Sequence, residues 1–381
     1  MKTRQLEVER VVPNALGGRH AVRFGKKRLG DKPLHLGACL WLSIAIASAG
    51  ETVRLSGRAM GTTWSVTFVQ PEKVLDSQDA LRRIAGRLEE LEQHFSTYRA
   101  NSELSRFNSA TDLKWVPVSP ELARIAAESR RISALTGGAF DVTVGPLVRL
   151  WGFGPQRRPG TLPADGDIEA ARETVDWQKL EARAEPAALR KHSPTLAADF
   201  SSIAKGFSAD ALSELLNSLH ASDHFVQIGG DVRTGGHAAR GEPWRSGIES
   251  PEDPTRESRL LELIVPLTGR ALSTSGDYRN FFTVEGRRYG HIIDPRTGRP
   301  AASALASVSV VAASCADSSA LATGLFVLGP EEGWNLAVQH RLAAVFFVRE
   351  ETGTGFVRRM TPEFERVVGR AKEDFPSAGL R

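Results

Sequence analysis

Apolar residues recur at helix or strand spacing along most of the chain. In Ser77–Phe95, Leu81, Ile84, Leu88, Leu91 and Phe95 fall three or four apart, the face of an amphipathic helix. Ser119 followed by Pro120 is an N-cap and first-turn pair. The helix it opens, ELARIAAESRRISAL, stops at Gly137-Gly138. Residues 201–220 carry another helical pattern, with Ile203, Phe207, Ala211, Leu215 and Leu219 on one side. Thr62–Val69 alternates like a strand, and residues 225–228 form a short strand running into Gly229-Gly230-Asp231. Residues 260–267, 306–312 and 343–348 are rich in strand formers, and 281–289 folds back at Glu285-Gly286 as a hairpin. Residues 152–167 (GFGPQRRPGTLPADGD) read as a surface loop, and the tail after Glu350 as a turn and a short helix. Helices and strands mix without strict βαβ alternation. The expected fold class is α+β, with antiparallel or mixed sheets and packed helices.

Composition narrows this further. Of 381 residues 41% are hydrophobic and 25% charged, enough apolar side chain to bury a core. No Gly period, long heptad run or row of apolar spans is present, which excludes collagen, coiled coil and polytopic membrane protein. The net charge of +4 is unevenly spread. Residues 1–33 hold nine Lys/Arg against three acids, and the chain from residue 34 onward holds 40 against 42. The body therefore has no global charge that favours nucleic acid.

Lys26-Lys27-Arg28 and Lys32 precede an uncharged apolar stretch, residues 34–49, that ends in Ala47-Ser48-Ala49. This is the grammar of a secretory signal peptide, with an uncleaved N-terminal anchor as the alternative. The expected organisation is a leader over 1–49, one domain over 50–350 and an extension over 351–381. Export to the periplasm or the outer face of the cytoplasmic membrane is expected, with membrane association through the N-terminus. Cleavage after Ala49 removes Cys39 and leaves Cys315 alone, without an internal disulfide.

P-loop, H-E-x-x-H, C-x-x-C, G-x-S-x-G and Rossmann signatures are missing. What stands out is a series of short segments joining permissive residues to polar ones. They are Arg58-Ala-Met-Gly-Thr-Thr63, a Ser-Thr-Tyr98 segment leading to Ser-Glu-Leu-Ser105, Gly138-Ala-Phe-Asp141, Asp199-Phe-Ser-Ser-Ile-Ala-Lys-Gly-Phe207, Gly229-Gly-Asp231, Thr274-Ser-Gly-Asp-Tyr278, His291-Ile-Ile-Asp-Pro-Arg-Thr-Gly298 and Asp317-Ser-Ser-Ala-Leu-Ala-Thr-Gly324. Each alone has a plain structural explanation. Gly-Gly-Asp is usually a turn, Asp199 suits a helix cap, and a lone histidine is more often structural. Together, Gly-rich turns and helix starts suit phosphate. Tyr98, Phe140 and Met60 suit a flat ring. Asp with Ser/Thr hydroxyls suits a hard cation such as Mg²⁺.

From about Leu55 to Glu350 these motifs, in this order, make the chain resemble the ApbE family of FAD:protein FMN transferases. The resemblance implies a two-lobed α+β fold and FAD as substrate. It implies a Mg²⁺-dependent transfer of the FMN moiety to a Ser or Thr hydroxyl of an acceptor flavoprotein, with release of AMP. Met60, Tyr98, Ala139, Phe140, Asp141, Asp199, Lys205 and Ile293 fall on its FAD-contacting positions. Lys205 would lie near phosphate or on the adenine side. Ser202 and Thr323 fall on its metal positions, and His291 is the candidate to position or deprotonate the acceptor hydroxyl. One departure stands out. The family's metal-binding Asp, four residues before the Thr, is here Ser319, and the nearest acid is Asp317, six residues before Thr323. Six residues is off-face on a helix, where four is one turn. An FAD pyrophosphatase, using the same site with water as nucleophile, is one alternative; a non-catalytic FAD-binding protein, which Ser319 keeps in play, is another.

Overall fold

Nine strands form one sheet whose neighbours are all antiparallel and whose spatial order is their order in the chain: Glu7–Arg10, Thr52–Ala59, Thr62–Val69, His224–Ile228, Asp231–Gly235, Ala271–Gly276, Leu305–Ala312, Ala343–Arg349 and Phe356–Met360. The computed structural model describes residues 7–10, 50–154, 162–251, 261–278, 280–301, 304–351 and 355–372. The apolar stretch of the expected leader, with Cys39, lies outside the described residues, as do residues 155–161 of the expected loop. Among the described residues no helix is long and apolar enough to cross a membrane.

Apart from the terminal helix Pro362–Lys372, the other described elements are inserted between strands of this meander. Between Val69 and His224, among the described residues, come six α-helices and a small sheet of Val116–Pro117, Leu180–Arg183 and Ala188–Lys191. The hairpin Trp244–Glu249 with Leu261–Leu267 follows Gly235, and Phe281–Val284 with Arg287–Gly290 follows Gly276. The helix Cys315–Gln339 fills the gap before Ala343, and its path breaks at Gly329 (φ 81°) just before Pro330. Observed and expected fold classes agree: helices pack on antiparallel sheets.

The inner strands are covered on both faces, so their sequence does not alternate. Val308, Val310 and Phe346 pack into the core that contains Phe140, Phe207 and Leu325. Val311, Val345 and Phe347 point the other way, toward Trp244, Val265 and Phe364. The helix Ser77–Phe95 buries all five residues of its expected face, and Asp76 caps it by accepting the Asp79 N–H at 2.8 Å. Each such buried side chain contributes about 2 kcal/mol. A charge at Ile84, which is wholly buried, would remove that helix from the sheet.

Three details differ from the sequence reading. The helix Ala204–Ser218 starts three residues late and buries Leu212 and Leu216, while Leu215 and Leu219 are only half-buried. The helix Asp165–Arg172 begins inside the expected loop. The tail adds a strand, Phe356–Met360, to the main sheet before its helix Pro362–Lys372, whose Phe364 is fully buried.

Candidate active site at one end of the sheet

Antiparallel strands alternate in direction, so every second connection emerges at the same end. Three of those at one end carry the motif residues: the turn at Met60-Gly61, the turn at Gly229-Gly230, and the link from Gly276 to Leu305. Met60 and Gly61 have φ of 52° and 71°, the left-handed pair of a tight hairpin. Gly229 (φ 59°) is required twice over, because a Cβ there would lie 3.0 Å from the Lys205 Cδ and 3.0 Å from the Thr62 methyl. The Lys205 side chain therefore lies against the Gly229 turn.

Lys205 belongs to the helix Ala204–Ser218, and its late start shapes the site. The Asp199 carboxylate accepts the Ser201 N–H at 2.9 Å and the Ser201 hydroxyl, holding 199–201 in a turn. Ile203 (φ −132°) is still outside the helix. The Ser202 carbonyl then faces the second helix, Cys315–Gln339, and accepts the Ser319 hydroxyl at 2.9 Å. The two helices touch backbone to backbone: a Cβ on Gly206 would lie 2.3 Å from the Cys315 carbonyl oxygen. Asp210 fastens the pair. Its carboxylate accepts the N–H of Cys315 (2.8 Å) and of Ala316 (2.9 Å), and Arg233 Nε lies 3.2 Å away. Burial nevertheless pushes Asp210 up to about 6, against the pull of those donors.

One turn further along the second helix, oxygen atoms converge. The Ser319 hydroxyl also points to Asp231 Oδ2 at 3.2 Å, and Ser273 bonds to the same carboxylate. The Thr323 hydroxyl lies 3.1 Å from Ser275 Oγ and donates to the Ser319 carbonyl at 3.1 Å. Among the described residues no three His, Cys, Asp or Glu side chains come together for a metal. The donor set is one carboxylate, one carbonyl and several hydroxyls, all hard oxygen. That chemistry fits Mg²⁺, which takes one or two carboxylates with substrate phosphates. Of the four expected metal residues, Ser202, Ser319 and Thr323 are brought together. Asp317 is not: its carboxylate pairs with Arg131 of the helix Pro120–Leu135, and its N–H is capped by Ser314.

His291 lies on the link after Gly276. Its Nδ1 is 3.1 Å from the Asn280 carbonyl oxygen, so Nδ1 carries the proton and Nε2 keeps its lone pair in the neutral ring. Burial, with the Lys205 charge nearby, holds the imidazole below the ordinary histidine value. Burial also pushes Asp231 upward, with Lys205 pulling it back. Beside His291 runs an aromatic row. Phe153 meets its edge at 6.3 Å, then Phe282, Tyr289 and Trp151 follow at 5.4, 5.4 and 5.7 Å.

The remaining expected contact residues lie around this centre. The Met60 N–H donates to Glu92, which also pairs with Arg99, so the turn is tied to the loop carrying Tyr98. The Tyr98 ring is 71% exposed and open to a ligand. Ala139, Phe140 and Ile293 are buried and act as packing. Asp141 is also buried, and its oxygens accept Thr143 N–H and hydroxyl at 2.7 Å each and the Trp177 N–H at 3.1 Å. Burial raises it to about 6. The residue missed as a site member is Asp231. Its Gly-Gly-Asp context reads as a turn, yet Asp231 opens the next strand, and its side chain points inward.

A lysine, a neutral imidazole and a knot of oxygen donors at the end of an antiparallel sheet define an enzyme-type site for a phosphate-bearing ligand. Residues 60–346 match the model of the ApbE family. The FAD:protein FMN transferase of Vibrio cholerae is 40% identical over 316 residues, spanning 83% of this chain and 93% of that protein. The Haemophilus influenzae protein of the same name is 37% identical over 321 residues, 83% and 92% of the two chains. Among solved structures, the flavin transferase ApbE from Vibrio cholerae superposes with a TM-score of 0.76 at 39% identity, covering 83% of this chain and 99% of that one. The apo flavinyl transferase ApbE of Pseudomonas stutzeri gives 0.76 at 36%, covering 87% and 98%. The chain belongs to the ApbE family.

Proposed function

We propose that this protein is an exported FAD:protein FMN transferase that moves the FMN moiety of FAD onto a Ser or Thr hydroxyl of an acceptor flavoprotein. The observation that carries this reading is His291. Its Nδ1 proton is committed to a backbone carbonyl, its ring is kept neutral, and Lys205 is close by. A neutral Nε2 is what an incoming hydroxyl needs.

In the step proposed, the acceptor oxygen attacks the FMN-side phosphorus of FAD. The bond from that phosphorus to the bridging oxygen breaks, AMP leaves, and the hydroxyl proton passes to His291 Nε2. Lys205 offsets charge on the pyrophosphate. The exposed Tyr98 ring and the Met60 turn present flat and soft surfaces to the ring systems. Asp141 and Asp199 act from behind by fixing the local backbone. Ser202, Ser319 and Thr323 are the oxygen donors that would hold Mg²⁺, which when bound neutralises pyrophosphate charge. The basic residues before the apolar stretch at 34–49 support export. Fusion of residues 1–60 to a reporter that is active only outside the cytoplasm tests it.

The test of activity is one reaction. The protein is mixed with FAD, Mg²⁺ and a Thr-containing acceptor flavoprotein, and acceptor mass and AMP are read with and without EDTA. A mass gain of one FMN unit that EDTA abolishes is the expected result. AMP without modified acceptor would point to hydrolysis by water. Ser319, a hydroxyl in place of a carboxylate, favours a further reading, a flavin-binding protein without turnover. Bound FAD with neither product would select it.

A further inference from the structure

The Ser319 hydroxyl has one hydrogen and faces two acceptors, the Ser202 carbonyl at 2.9 Å and the Asp231 carboxylate at 3.2 Å. A carboxylate oxygen and a carbonyl oxygen that share a single hydroxyl proton are a pair a cation would satisfy more fully than a hydroxyl can. Asp231 is held in that pose from two sides. It starts the strand Asp231–Gly235 straight after the Gly229-Gly230 turn, and Ser273 on the neighbouring strand bonds to it. Its hydrogen-bond partners are hydroxyls, which can rotate away from the carboxylate, and the Lys205 charge nearby favours its ionised form. Asp317, by contrast, is paired with Arg131 on the outer side of the helix.

We infer that Asp231 supplies the carboxylate of the divalent-cation site, taking over from the neighbouring element the charge that Ser319 lacks. This rests on the flavin-transferase reading of the same site. Ser319 then adds a neutral oxygen donor between Asp231 and the Ser202 carbonyl. The change moves the anionic ligand from the helix to the sheet while the cation keeps one carboxylate.

The test uses Mn²⁺, whose free form is counted by electron paramagnetic resonance. It is titrated into the full-length protein saturated with FAD, with no acceptor present and an FAD-only blank subtracted. Flavin binding is followed separately by fluorescence quenching. Asp231→Asn should weaken Mn²⁺ binding about tenfold or more, the scale at which even outer-shell changes act, and leave flavin affinity within about threefold. Adding Ser319→Asp to that variant should restore Mn²⁺ binding, because the carboxylate returns to the helix. Asp317→Asn should titrate as the parent does. The assignment is overturned if Asp231→Asn titrates unchanged, if Asp317→Asn is the variant that loses Mn²⁺, or if the double variant folds and does not recover. Should Asp231→Asn fail to fold by circular dichroism, the Asp317→Asn and double-variant arms still decide. If the parent protein binds no flavin, the transferase reading fails, and the Mn²⁺ titrations repeated without FAD judge Asp231 separately.

Discussion

The helix Cys315–Gln339 begins between two carboxylates, Asp231 buried and Asp210 half-buried, that are partnered in opposite ways. Asp210 is met by two backbone N–H groups and a guanidinium. Asp231 takes its side-chain hydrogen bonds from hydroxyls, with the Lys205 charge nearby. Backbone donors cannot turn away, so Asp210 is locked into holding the helix start. Hydroxyls rotate, so Asp231 can exchange its partners for something else. Both are acids in low dielectric; the kind of donor facing each separates scaffold from site.

That contrast can be broken most sharply at the reactive flank. His291→Ala should slow transfer by about a hundredfold to ten-thousandfold, the worth of a positioned base. Its flavin affinity and unfolding midpoint should stay near those of the parent. A single-turnover assay with quenched-flow sampling reads the first and a urea melt the second; an unslowed reaction would move the base elsewhere. The holding flank should behave the other way. Asp210→Ala leaves two N–H groups and Arg233 without their acceptor and should cost about 3 kcal/mol of unfolding free energy. A urea melt within about 0.5 kcal/mol of the parent would remove Asp210 from its scaffold role.

A weaker effect sharpens the comparison through pH. Asp210 sits at about 6 against an ordinary 3.8. A carboxyl raised on folding contributes stability that is fully present below its unfolded value and lost as pH climbs through its folded value. The parent should therefore lose on the order of 2 kcal/mol relative to Asp210→Asn between pH 4 and pH 7. Parallel stability curves for the two proteins would contradict the raised value. The smallest expected change is Ser319→Asp. It should tighten Mg²⁺ about tenfold by adding a second charged oxygen. It should also destabilise the metal-free protein, since two carboxylates then meet at close range. Calorimetric titration of Mg²⁺ and a thermal melt in EDTA read the two halves.

Much of this was legible in the sequence, and the failures have causes. The helix Ser77–Phe95 showed itself because it is buried on one face only. The hairpin at Glu285-Gly286 did so because both residues adopt positive φ, 50° and 77°. The helix Cys315–Gln339 is buried nearly all round over its first half, so no periodicity marked it. The start of the helix at Ala204 was obscured by Asp199, whose side chain takes the Ser201 N–H and delays the first helical turn. The motif residues told where chemistry gathers. They did not show that Asp317 faces Arg131, or that Asp231 faces Ser319, because both pairings are set by how separate elements pack.

The meander also gives the site a scale. Four strand spacings separate the turn at Met60 from the link after Gly276, with the Gly229 turn midway. At about 4.8 Å per strand this is about 19 Å. A compact molecule meets one of these connections, and only an elongated one meets all three. Length is thus a criterion of selection here, and it is written in the number of strands between the turns.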